Sequence, residues 1–188
     1  MKKCILFMVF GLVLSSVYAQ NSVPPAGMEI SFVYNRQRSL PSNQFAVWVE
    51  DSRGSFVKTL YATRFTATGA WAKRPLAIPT WVKKSGVSSL AKSEIDTFTG
   101  ATPRTGGALS YSWDGKDKNG NPAAPGEYRV FLEATLRNEN RVLYSAAFGL
   151  GNASPAGSPV EAEVKTEYFG RRTTGRGMID RVKVLYRR

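Results

Sequence analysis

Polar and apolar residues alternate along Met28–Asn35, with Ile30, Phe32 and Tyr34 on one face and Glu29, Ser31 and Val33 on the other. A period of two is strand periodicity. Gln44–Glu50 and Phe56–Ala62 repeat it on either side of Asp51-Ser52-Arg53-Gly54, whose polar and glycine residues suit a turn, so the two runs read as a β-hairpin. Strand-like segments resume at Ala108–Trp113, Glu127–Leu136, Val142–Phe148, Val160–Phe169 and Ile179–Tyr186, with Leu150–Pro159 as a Gly/Ala/Ser/Pro connection. About eight strands set apart by Gly, Pro and Asn turns predict an all-β fold, an immunoglobulin-like antiparallel β-sandwich. Its predicted core takes Trp48 or its neighbours Val47 and Val49, together with Trp113, Tyr128, Val130 and Leu132.

Regular alternation lapses between Thr66 and Gly107. Thr80–Lys84 suits one or two helical turns, with Thr80 as N-cap and Gly86 as the stop. The expectation is therefore one long irregular loop region with at most one short helix. A stretch this long with little regular structure is more often functional than idle, and it carries Trp71 and Trp81.

The amino terminus changes the picture. Met1-Lys2-Lys3 is a positive start, Cys4–Leu14 is apolar, and Val17 and Ala19 occupy the −3 and −1 positions of a signal-peptidase site. The apolar run is too short to span a bilayer. A lipoprotein would need cysteine where Gln20 stands. The organisation expected is a signal peptide over 1–19, a flexible lead-in over 20–27 and a single β-sandwich domain over 28–188, periplasmic or secreted and not membrane-spanning.

Composition then narrows the chemistry. The chain has no histidine, and its one cysteine, Cys4, lies in the leader. Disulfides, c-type haem, a Cys/His zinc site and a histidine-based triad are excluded. A net charge of +12, of which Lys2 and Lys3 leave with the leader, reflects scattered Lys and Arg without a long basic run. That reads as solubility, and an exported chain does not meet nucleic acid. The densest cluster, Arg171-Arg172 with Arg176, sits among glycines like a basic hairpin tip.

Trp113-Asp114-Gly115-Lys116-Asp117-Lys118-Asn119-Gly120-Asn121-Pro122, followed by Pro125-Gly126-Glu127-Tyr128, is a run of turns with Trp113 and Tyr128 entering adjacent strands as core aromatics. Its acidic residues do not make an EF-hand, because Gly120 falls at the wrong offset and no closing glutamate follows. The run resembles the immunoglobulin-like module of the flagellar hook-cap protein, over residues 108–136 alone. A longer resemblance rests on Gln44–Asp51, Trp81–Gly86, Asp96–Thr102 and Trp113-Asp114-Gly115 in that order. In these the chain resembles a family of predicted periplasmic bacterial proteins classed as a domain of unknown function. Its genes lie near flavin transferases and membrane redox proteins, which implies an envelope redox setting.

Asp96-Thr97-Phe98-Thr99-Gly100-Ala101-Thr102 is the most specific string in the chain. It resembles the D-x-x-[S/T]-G-A-T acceptor of proteins modified by FAD:protein FMN transferases. The resemblance implies FMN bound covalently through the Thr102 hydroxyl, with Asp96 opening the motif and Thr99, Gly100 and Ala101 shaping its turn. Such an acceptor needs a hydroxyl on an accessible loop with small residues before it: Gly100 allows an unusual backbone angle and Ala101 adds no bulk. Trp71, Trp81, Phe98 and Tyr111 are the aromatic candidates for stacking on a flavin ring. The structural alternative is a loop whose Asp96 caps a turn.

Three functions compete on this reading. The first is an electron-transfer flavoprotein with FMN on Thr102, whose partners are the transferase and a membrane redox protein. The second is a cofactor-free β-sandwich interaction module of the cell envelope. The third is a flagellar or surface scaffold. A stand-alone enzyme has no paired catalytic constellation to support it.

Overall fold

The computed structural model describes residues 27–37, 43–137, 140–151, 158–170 and 177–187. The expected signal peptide, nearly all of the lead-in and the Arg171, Arg172 and Arg176 cluster lie outside the described residues.

Among the described residues the chain runs β1 (Met28–Tyr34), β2 (Gln44–Asp51), β3 (Phe56–Thr63), α1 (Trp71–Lys73), α2 (Pro79–Ser85), α3 (Lys92–Phe98) and β4 (Thr99–Gly100). It continues with β5 (Gly107–Trp113), β6 (Gly126–Arg137), β7 (Asn140–Leu150), β8 (Val160–Ala162), β9 (Val164–Phe169) and β10 (Ile179–Tyr186). One sheet is ordered β5-β1-β10-β8 and the other β4-β3-β2-β6-β7-β9. Every pairing is antiparallel except that of β4, which lies parallel to Ala62 and Thr63 of β3. The fold is an all-β sandwich.

The alternation in β1 does what its period demands. Ile30, Phe32 and Tyr34 face inward and pack with Phe45, Val47, Val49, Val130 and Leu132 from the opposing sheet. Trp113 and Tyr128 both enter this core, but in opposite sheets, with ring centroids 5.0 Å apart. The expected adjacency therefore holds across the sandwich rather than between neighbouring strands. Trp113 is fully buried, meets Phe148 edge-on at 5.6 Å and donates Nε1–H to the Lys116 carbonyl at 2.7 Å. Trp113→Ala is expected to cost about 3–5 kcal/mol, read as a lowered urea midpoint; an unchanged midpoint would take this side chain out of the core.

A third layer corrects the expected irregular region. Residues 66–98 form several short helices, two of them seven residues long, rather than one. Ala67, Ile78, Trp81, Val87 and Ile95 from this layer pack on Ala46, Trp48, Ala62 and Leu143, the outer face of the larger sheet. Burial on both faces is why seven successive residues of β2, Gln44–Glu50, are buried. α2 stops at Gly86, whose φ of +62° is the left-handed cap expected there. Its start differs from expectation: Thr80 lies inside α2, and Ile78 stands at the cap position with φ +44°. The Glu133 carboxylate of β6 accepts the Thr80 and Trp81 N–H groups instead, at 3.3 and 2.9 Å. The segment Val160–Phe169 is likewise two strands, β8 and β9, which belong to different sheets.

Candidate functional site

The motif at Asp96–Thr102 crosses three kinds of backbone: the last turn of α3, the two residues of β4 and the start of the loop to β5. Pairing of Thr99 and Gly100 with Ala62 and Thr63 fastens it to the end of β3. Asp96 does not cap a turn. Its carboxylate accepts from Arg64 Nη2 at 2.9 Å, an ion pair with both side chains about half exposed. The Thr97 hydroxyl donates to the Glu94 carbonyl, and Thr99 Oγ1 is buried without a hydrogen-bond partner.

Gly100 owes its identity to space rather than to an unusual φ, because it is not among the glycines in the left-handed region. A Cβ there would sit 2.6 Å from Cε2 of Tyr61. That ring cannot easily retreat: it stacks on Phe45 at 5.0 Å, lies 4.7 Å from Tyr111 and donates its hydroxyl to the Ala101 carbonyl at 3.0 Å. Gly100→Ala is expected to cost about 1–3 kcal/mol through overpacking. A thermal melt coincident with that of the parent chain would show that Tyr61 moves aside freely. Burial raises the phenol pKa of Tyr61, with Tyr34 adding to the effect. It pushes Tyr111 further above the ordinary range, helped by Tyr61. Both phenols stay neutral at physiological pH.

Ala101 is exposed and Thr102 partly so. Gln44, the first residue of β2, donates Nε2–H to Thr102 Oγ1 at 3.4 Å. The orientation of that amide follows from its other end, where Oε1 accepts from the Thr63 hydroxyl at 2.7 Å, the Thr66 hydroxyl at 2.9 Å and the Thr66 N–H at 3.2 Å. Three donors fix Oε1, so the NH₂ must face Thr102. Because Thr102 accepts in this bond, its own proton is not committed to it. Arg36 reaches across from the end of β1 and donates to the Pro103 carbonyl at 2.9 Å, and Arg104 is exposed next to it.

Gln44 and Arg36 were not singled out by sequence reasoning. Gln44 reads as the first residue of a strand, and its contact with Thr102 spans 58 positions. Of the aromatic candidates, Trp81 is fully buried under the helical layer and Trp71 packs against that same cluster. Phe98 meets Trp81 edge-on at 6.2 Å and keeps partial exposure. Tyr111 touches Tyr61, the ring lying against Gly100.

A family model described as a predicted periplasmic protein, DUF2271, matches residues 28–168, a span that contains the whole motif. No curated protein and no solved structure matches the chain.

Proposed function

The chain belongs to the DUF2271 family of predicted periplasmic proteins, and from that premise we propose that it is an electron carrier holding FMN as a phosphoester on Thr102. The observation that carries this reading is the presentation of Thr102: a partly exposed residue, whose hydroxyl accepts from Gln44, on a loop whose preceding residues are Gly100 and Ala101. The surroundings suit an anionic phosphodiester, with the Arg36 guanidinium on the Pro103 carbonyl and Arg104 exposed two residues along the chain. In the attachment reaction Thr102 Oγ bonds to the FMN-side phosphorus of FAD. The diphosphate bridge breaks, AMP leaves, and the hydroxyl proton passes to solvent. Gln44 donates to the oxygen without taking up its proton, and the pairing of Thr99 and Gly100 with Ala62 and Thr63 holds the loop in register with β3. A bound flavin supplies the electron chemistry that a chain without histidine, and with cysteine only at position 4, does not. The partners this requires are an FAD:protein FMN transferase and a membrane redox protein.

Production of the full chain beside such a transferase tests the proposal. Its intact mass is expected to rise by one FMN less a water, and the label to survive denaturation. An unlabelled chain, next to a known acceptor that the same transferase modifies, overturns it.

One observation favours a second reading, the cofactor-free interaction module. Phe65 and Leu76 in the helical layer are 48% and 49% exposed, and the Arg74 guanidinium lies over the Phe65 ring at 5.1 Å. Large apolar side chains left in solvent beside a cation suit protein contact. A chain that stays colourless and unlabelled returns the function to this face.

A further inference from the structure

A groove of about 550 Å³ opens at the side of the sandwich, between the outer edge of β3, α3 and the Asp117–Gly120 turn. That volume lies within the range of small-molecule sites. β3 carries two bulges here. Thr59 and Tyr61 pair with Trp48 and Val47, leaving Leu60 as an extra residue, and Phe56 and Lys58 pair with Glu50 and Val49, leaving Val57 as another. The Lys118 N–H donates to the Val57 carbonyl at 3.0 Å and ties the turn to the second bulge. A doubly bulged edge is a poor template for an added peptide strand, because successive N–H and C=O groups no longer point outward in step. The opening is therefore shaped for a compact ligand. Its walls are the partly exposed apolar side chains of Phe56, Leu60, Leu90 and Phe98; its charged lining is Lys58, paired with the Asp114 carboxylate at 3.4 Å, Lys118, Glu94, which is bonded to the Ala91 N–H, and Asp117, which accepts from its own turn.

The groove and the acceptor motif share residues. Thr97 and Phe98 belong to Asp96–Thr102 and also line the groove. β3 runs from Leu60 in the groove wall to Thr63 beside Gly100, which at the rise of a strand is about 10 Å. We propose that this groove seats the isoalloxazine ring of the flavin carried by Thr102, an inference that rests on the attachment proposed above. The apolar walls cover the faces of a planar tricyclic ring, and the Lys118 ammonium meets its carbonyl edge. Leu60 and Leu90 lie outside the acceptor motif, so they control how the ring is held and not whether it is attached.

The experiment uses the full chain produced beside the transferase and reads acrylamide quenching of flavin fluorescence. In the folded protein the quenching constant is expected to be several-fold below that of the same labelled chain unfolded in urea. In Leu60→Glu it should return close to the unfolded value while the mass gain is unchanged. Leu90→Glu, from the opposite wall, is the second variant should Leu60→Glu fail to fold. A mass gain with a ring equally accessible in folded and unfolded chains overturns the seat alone, as does protection unaltered in both variants. The absence of any mass gain overturns the attachment and the seat with it.

Discussion

Glu133→Ala is expected to lower the stability of the sandwich by about 3–5 kcal/mol, the range for breaking a buried ion pair by removing one partner. The Glu133 side chain is wholly buried and serves three donors from two directions. It accepts the Thr80 and Trp81 N–H groups at the start of α2, and it accepts Arg141 Nη1 at 2.6 Å. The same guanidinium nitrogen donates to the Thr80 hydroxyl at 2.7 Å, and the guanidinium carbon lies 3.8 Å from the Phe169 ring centroid. Alanine removes the anion of this cluster and leaves a mostly buried cation and the first amides of a helix without their acceptor. Glu133→Gln is expected to be damaging too, since its NH₂ must face donors on one side or the other. Urea titration reads the effect. A double variant, Glu133→Leu with Arg141→Leu, is expected to lose less than Glu133→Ala alone, because no uncompensated charge remains. A loss below about 1 kcal/mol for Glu133→Ala would mean that the carboxylate is not what holds α2 on the sheet.

The same carboxylate shows where sequence reasoning stops. The strands were legible because Ile30, Phe32 and Tyr34 obey a period of two and because Asp51–Gly54 carries turn chemistry, with Gly54 at φ +77°. Of the helical layer only α2 was legible, through its stop at Gly86; the rest was not, since the buried residues Ala67, Ile78, Trp81, Val87 and Ile95 are spread over pieces of about two turns or less. No window there is long enough for a helical period to show. Its cap comes from 52 positions away in β6, where Glu133 reads as an ordinary polar residue in a strand. The switch of sheets between Ala162 and Val164 occurs at Glu163, with no Gly or Pro to mark it.

Within the candidate site, the motif was readable as a string and its reasons were not. Gly100 suggested backbone freedom, whereas the packing of Tyr61 against it explains the absent side chain. Asp96 suggested a cap, whereas it holds Arg64 at the end of β3. Each of these depends on a residue more than thirty positions away, brought close by the parallel pairing of β4 with β3. A two-residue strand inside the motif leaves no periodic trace.

The largest expected effect is all-or-none and concerns the acceptor oxygen. Thr102→Ala is expected to abolish the FMN mass gain, because no oxygen remains at that position to bond phosphorus, and Thr102→Ser is expected to keep it. Stability should change little in either, since Thr102 is partly exposed and its bond from Gln44 is long at 3.4 Å. Thr99→Ala is the informative contrast. Thr99 Oγ1 is buried without a partner, so its removal relieves an unsatisfied group and is expected to be neutral or stabilising while labelling persists. Asp96→Ala breaks only an exposed ion pair with Arg64, worth at most about 1 kcal/mol; a loss of labelling in a chain that melts normally would then show that the transferase reads the carboxylate itself. Intact mass under denaturing conditions reports every variant on one scale. Labelling that survives in Thr102→Ala and vanishes in Thr99→Ala would move the acceptor to the buried hydroxyl, and the accessible-loop argument for Thr102 would fall with it.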